Sequence, residues 1–393
     1  MSVEVVIVGA ARTAQGKLQG SLSTVPAHEL GATAIRGALR RAGVDAEHVK
    51  AVVMGQVLQA GCGQNPARQA AIAAGVPWSV PAGTVNRVCL SGLSAILDAA
   101  RLIRLGEVDV AVAGGMESMS LAPHLMPRSR AGWRYGSIEV LDHMAYDALT
   151  DAFERDSMGA STERHNARFA VGRDVQDAWA ARSHERAALA QAEGAFDAEI
   201  EPVEVPQRRG EAVRVTVDEG VRGDTTADAL ARLRPAFSAD GTITAGNASQ
   251  ISDGAAAVVL TTRERAAREG WTVMASLGAH GQVAGPDPSL QEQPARAIEA
   301  ACAAEGISHR DIDVIEINEA FGAVVARSRE LLDVDEDRVN IHGGGIALGH
   351  PVGASGARLV VHAAHELARR GAGTAVAALC GGGGQGDALL LRA

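Results

Sequence analysis

Aromatic residues make up only 3% of the 393 positions. Any core must therefore be built from closely packed Ala, Val, Leu and Ile. Lysine occurs only at Lys17 and Lys50, so no lysine accompanies the glycine-rich stretches and a Walker-type phosphate loop is excluded. VVIVGA at the N-terminus hints at a nicotinamide dehydrogenase, but neither GxGxxG nor a ribose-binding acid follows this strand. The four cysteines, Cys62, Cys89, Cys302 and Cys380, are too dispersed for a disulfide framework. No CxxC pair suggests zinc, and no metal is expected. A reducing cytoplasm is the expected location. No apolar run reaches the roughly 18 residues of a membrane span. The opening MSVEVVIVGAART lacks the basic region of a secretory signal. The formal net charge of −10 argues against binding nucleic acid or an anionic membrane.

What is present is apolar residues at 47%, ample for a core, and 45 glycines. Residues 3–8 and 49–57 read as buried strands, and 108–113 as another. Residues 26–41 read as a helix capped by Ser23 or Thr24, with Pro26 in its first turn and Gly43 past its end. An apolar helix is expected over 89–105. This alternation predicts a mostly parallel sheet with helices on its faces. The plan recurs. TVNRVCLSGLSAILDAARLI (84–103) is echoed by RVNIHGGGIALGHPVGASGARLVVHAA (338–364), with Ser91-Gly92 and Ser355-Gly356 each opening an apolar helix. VDVAVAGG (108–115) likewise corresponds to GTAVAALCGGG (373–383). Two similar α/β halves explain the pattern. The stretch 121–247, rich in charge, Met and Trp, reads as an insertion. SDGAAAVVLTT (252–262) then returns to complete the first half. The expected division is 1–120 plus 248–270, the insertion 121–247, and 271–393.

Four segments carry chemistry. In NRVCLSGLSA, Cys89 meets the start of a helix, where free N–H groups favour a thiolate, although a lone Cys is more often inert packing. In INEAFGAVVA, Asn318 and Glu319 follow a strand, where α/β sites form, yet Asn318 alone reads as a helix cap. In GGGIALGHPVGASGA, His350 is held between Gly349 and Pro351. In ALCGGGGQGDA, Cys380 ends a strand, and bare glycine N–H groups follow it, suited to an oxyanion.

Together NxxCxSG, NEAF, GGGIALGHPxGASG and CGGGGQG, in this order, resemble the thiolase superfamily, closest to its acetyl-CoA acetyltransferase group, along the whole chain. The resemblance implies an α/β thiolase fold: two similar halves in a layered αβαβα body with an inserted loop domain. It implies reversible condensation of two acetyl-CoA to acetoacetyl-CoA and CoA, or thiolysis of 3-ketoacyl-CoA in lipid metabolism. A β-oxidation thiolase of longer or branched acyl preference is the alternative. Cys89 would take the acyl group, His350 its proton, and Cys380 would serve as acid and base. His350 with a water on Asn318, and the N–H groups of Cys89 and Gly382, would hold the two oxyanions. Arg222 and Ser249 are expected along coenzyme A, and Met158, Phe321 and Leu290 near the acyl group. Coenzyme A thioesters would be substrates, with no cofactor. A homotetramer built from dimers is expected.

Three departures from the family pattern bear on the acyl or pantetheine pocket: Leu90 after the nucleophile, Ser157 before Met158, and Leu290-Gln291-Glu292-Gln293-Pro294. A carrier-protein synthase would use two histidines, where this chain has Asn318 and a second cysteine. A non-catalytic acyl-CoA binder would have lost one of Cys89, His350 or Cys380.

Overall fold

The computed structural model describes residues 3–393. The elements that build the site, in chain order, are β1 (Val5–Thr13), α1 (Ala27–Ala42), β2 (Ala51–Gly55), α2 (Pro66–Ala73), β3 (Ala82–Val85), α3 (Ser91–Arg104), β4 (Val110–Ser118), α4 (Met158–Phe169), α5 (Arg173–Ala192), β5 (Ser252–Thr262), β6 (Ala275–Ala284), α6 (Gln293–Glu305), β7 (Val314–Ile317), α7 (Gly322–Leu332), α8 (Ser355–Arg370), β8 (Thr374–Gly381) and β9 (Gln385–Arg392). Every residue of β1 and β4 is buried, as continuous apolar runs require. Pro26 precedes α1 in an extended conformation, and Gly43 ends it in the left-handed region at φ 63°. Neither Ser23 nor Thr24 caps this helix: no side-chain cap bond forms, and the Ser23 hydroxyl donates to the Gly20 carbonyl instead.

The strands lie in the order β7-β8-β9-β6-β1-β5-β4-β2-β3. The sheet is mixed, not mostly parallel. β2 is parallel to β3 and β4, and β7 to β8, but the strands between β4 and β8 all run antiparallel to their neighbours. The cause is local. The chain returns from the insertion to wedge β5 between β1 and β4, and a short turn folds β9 back on β8, which only antiparallel strands permit. The first half reads β3-β2-β4-β5-β1 from its edge. The second repeats it as β7-β8-β9-β6, with the Ile315–Val339 bridge in the place of β3. The halves join where Val6 and Ile7 pair with Ser276 and Ala275.

Three apolar clusters separate five layers. One packs α1 and α2 on the outer face of the first half, and another packs α6 on the outer face of the second. The third encloses α3 and α8 between the halves. These two helices meet through their Ser-Gly starts. A Cβ on Gly92 would lie 2.9 Å from the Gly353 carbonyl oxygen, and one on Gly356 would lie 2.7 Å from the Leu93 nitrogen. That close approach brings the loops ahead of both helices together. The insertion is tied down by Arg12 of β1, which is fully buried and pairs with Glu199 at 2.6 Å and Asp218 at 2.7 Å. Among the described residues, no helix is long and apolar enough to cross a membrane.

Candidate active site

Cys89 lies in the turn between β3 and α3, two residues before the helix rather than inside it. The turn is tight. Val88 adopts φ 52°, a left-handed conformation that costs a β-branched residue strain. It is held by Asn86, whose Oδ1 accepts from the Val88 N–H at 2.9 Å, and by Ser91, whose Oγ accepts from the Arg87 N–H at 2.9 Å. Arg87 is anchored to Asp387 of β9 at 2.5 Å. Leu90 is completely buried, and Gly381 is a glycine because a Cβ there would sit 2.5 Å from Leu90 Cγ. Leu90 therefore belongs to the core behind the nucleophile and not to the acyl pocket expected for it.

His350 comes from the loop ahead of α8. Gly349 reaches φ 113°, and a Cβ there would be 2.3 Å from Ser252 Oγ, so only glycine lets the loop pass. Ser355 Oγ lies 2.5 Å from His350 Nδ1 and donates its own proton to the Pro351 carbonyl at 3.0 Å. Having spent its one proton, Ser355 accepts from Nδ1–H. That fixes the tautomer and leaves Nε2 as the unprotonated nitrogen. Burial, with Arg358 adding to it, lowers the imidazole to about 4, so it is neutral near pH 7.

Asn318 follows β7. Its N–H donates to the Ala378 carbonyl at 2.9 Å, and its Nδ2 lies 3.4 Å from His350 Nε2. It does not cap α7, which starts after Phe321. Asn318 Oδ1 is buried without a partner, an acceptor in a place where a water would complete it. Glu319 is instead a scaffold. It accepts from Trp179 and Ser183 of α5, from Asn340 and from the Ile346 N–H.

Cys380 is the penultimate residue of β8 and is fully buried. Burial, with Cys89 facing it, pushes its thiol up. Burial also pushes Cys89 up to about 12, although its own N–H and that of Gly382 point to the sulfur and oppose the rise. The lowered thiol pKa expected from the helix start is thus reversed: desolvation outweighs the dipole. The resting pair is thiol and neutral imidazole.

Cys89, His350, Cys380, Gly382, Met158, Phe321, Leu290 and Ser249 line one cavity of about 60 Å³. Ala148, Leu149, Val88 and Val352 complete its apolar wall. Leu149 and Ala148 sit in the insertion with no motif around them, so nothing in the sequence flags them; the Ser355-Gly356 pair reads only as a helix start and gives no sign of the bond to His350. Arg222 is outside this cavity, exposed, with its guanidinium 3.1 Å from His184 Nε2. Ser157 is the cap of α4, accepting from the Ala160 N–H. Gln291, wholly buried, bonds the Thr162 carbonyl and Asn166, fixing Leu290 against α4.

The family model of the thiolase N-terminal domain matches residues 5–264, and that of the C-terminal domain matches residues 271–393. A probable acetyl-CoA acetyltransferase of Mycolicibacterium smegmatis is 58% identical, over 98% of this chain and 100% of that protein. An acetyl-CoA acetyltransferase of Cupriavidus necator is 47% identical over 99% of each. The crystal structure of the Bacillus anthracis acetyl-CoA acetyltransferase superposes with a TM-score of 0.96 at 39% identity, covering 100% of this chain and 99% of that one. With these matches spanning the body that gathers Cys89, His350 and Cys380, the chain belongs to the thiolase family, and it is an acyltransferase.

Proposed function

We propose that this enzyme condenses two acetyl-CoA to acetoacetyl-CoA and CoA, and runs the reverse thiolysis at the same site. The observation that carries the reading is the convergence of two thiols and a neutral imidazole on one small apolar cavity. The cavity is small, about 60 Å³, and is lined by Met158, Leu149 and Leu290, which suits an acetyl group better than a long chain.

The proposed steps use the groups that share this cavity. His350 Nε2 takes the Cys89 proton as sulfur attacks the first thioester carbonyl, so Cys89 need not rest as a thiolate. The N–H groups of Cys89 and Gly382 face the oxyanion that forms. The first CoA leaves as thiolate and takes the Cys380 proton. The Cys380 thiolate then removes a proton from the methyl of the second acetyl-CoA. The enolate oxygen rests on His350 Nε2–H and on the water that Asn318 would hold. Its carbon attacks the acetyl-enzyme, Cys89 departs, and it regains its proton from His350. Protons and bonds balance without a cofactor. Ser249 would meet the pantetheine arm, and Arg222 the nucleotide end outside the cavity. A cytoplasmic homotetramer is the assembly we expect, on family grounds.

The test follows loss of acetoacetyl-CoA in the presence of CoA. Cys89→Ala is expected to abolish turnover. Cys380→Ala is expected to abolish it too, yet still form acetyl-enzyme from acetyl-CoA. Turnover by either variant near the wild-type rate refutes the role given to that residue. A preference for long ketoacyl chains would favour the β-oxidation reading.

A further inference from the structure

We propose that Glu117 is a positioning residue of this reaction, holding the loop that supports Cys89 and the loop that carries His350 on one carboxylate. The inference rests on the roles given above to Cys89 and His350. Glu117 stands near the end of β4 with no exposed surface. Its Oε2 accepts from the Val57 N–H at 2.9 Å and from the Gly353 N–H at 2.9 Å; its Oε1 accepts from Leu58 N–H at 3.1 Å. Val57 and Gly353 belong to different halves of the molecule.

Each bond leads to a reacting group. The Val57 carbonyl accepts from Asn86 Nδ2 at 3.4 Å, and Asn86 Oδ1 holds the strained Val88 just before Cys89. Gly353 lies three residues after His350, in the turn where the Ala354 and Ser355 N–H groups bond the Pro351 carbonyl. Space there is closed. A Cβ on Gly353 would be 2.6 Å from Glu117 Oε2, and one on Gly115 would be 2.1 Å from the Gly353 carbonyl oxygen. The carboxylate is thus a clamp between two loops whose relative placement sets where His350 stands to Cys89.

The clamp is costly to charge. Among the described residues, Glu117 makes no ion pair. The titratable groups that face it are Cys62 beyond the Val57–Leu58 loop, Cys89, and Asp253 of β5. Burial raises it to about 7, against the pull of its three N–H donors. A protonated carboxyl accepts fewer N–H bonds, so the clamp loosens on acidification through this range.

The experiment measures kcat and KM for thiolysis from pH 5.5 to 8.5, with the rate of Cys89 alkylation by iodoacetamide and a thermal midpoint, on the full chain, Glu117→Gln and Glu117→Asp. The glutamine keeps the shape but turns an N–H₂ toward an N–H donor; the aspartate keeps the charge but cannot reach both loops. For a clamp, kcat falls about ten- to a hundredfold in both with KM little changed, as a misplacement of about 1 Å produces. The wild-type acid limb near pH 7 disappears in the glutamine variant. A kcat within twofold of wild type, or the same acid limb in Glu117→Gln, overturns the proposal. So does failure of both variants to fold, which would make Glu117 a stability residue only. An inactive wild type is a separate result: it defeats the proposed function itself, and this role with it.

Discussion

Replacing Ser355 by alanine removes one oxygen from the site and leaves every substrate contact in place. The hydroxyl is buried, donates to the Pro351 carbonyl and accepts the Nδ1 proton of His350 at 2.5 Å. Without it, that buried N–H has no acceptor. A group orphaned in this way costs about 1–3 kcal/mol. The imidazole can escape the cost by moving its proton to Nε2, but that tautomer cannot take the Cys89 proton. In either case the acylating state is less populated, by about 5- to 150-fold. Because Ser355 does not line the cavity, KM should hold while kcat falls. The assay is initial-rate thiolysis of acetoacetyl-CoA across both substrate concentrations, with alkylation of Cys89 by iodoacetamide as a direct reading of the base. A kcat within twofold of wild type, or a loss carried wholly by KM, would refute the tautomer argument.

Two further substitutions probe placement. Leu90→Ala should destabilise the fold by about 2–5 kcal/mol through the cavity it leaves against Gly381, read as a shift in the denaturant midpoint, while the chain-length profile stays unchanged. An altered acyl preference would mean that Leu90 reaches the pocket after all. Arg12→Met strands the carboxylates of Glu199 and Asp218 in the interior and should cost about 3–5 kcal/mol at pH 8. Glu199 is held well below the usual carboxylate range, against its own burial, by His362 and Arg12. Taking Arg12 away raises it, so the loss should shrink as pH falls and the stranded acid is protonated. Equal destabilisation at pH 5 and pH 8, measured by urea unfolding, would show that the charge is not the cause.

Much of this protein is written locally. Continuous apolar runs specify β1, β4 and β5 because both faces of those strands are covered, and Gly43 marks the end of α1 because only a left-handed residue stops it there. The repeated Val-Asn and Ser-Gly signatures give the duplication, since the same close helix crossing needs the same small residue twice. The four motifs name Cys89, Asn318, His350 and Cys380, because each is bracketed by glycine, proline or a strand end that only a special backbone path needs. Strand direction was not legible. Whether β5 returns parallel or antiparallel depends on where the insertion hands the chain back, which no local pattern encodes. Nor were the proton affinities. The helix start beside Cys89 argues for an acidic thiol, but the packing of Val352, Leu149 and Met158 around it removes water, and that loss is larger than a dipole can offset. Leu90 is beside the nucleophile in sequence and behind it in space. The tertiary fold alone decides such things, because desolvation and contact depend on which distant residues arrive, while the sequence fixes only what each residue can do once they have.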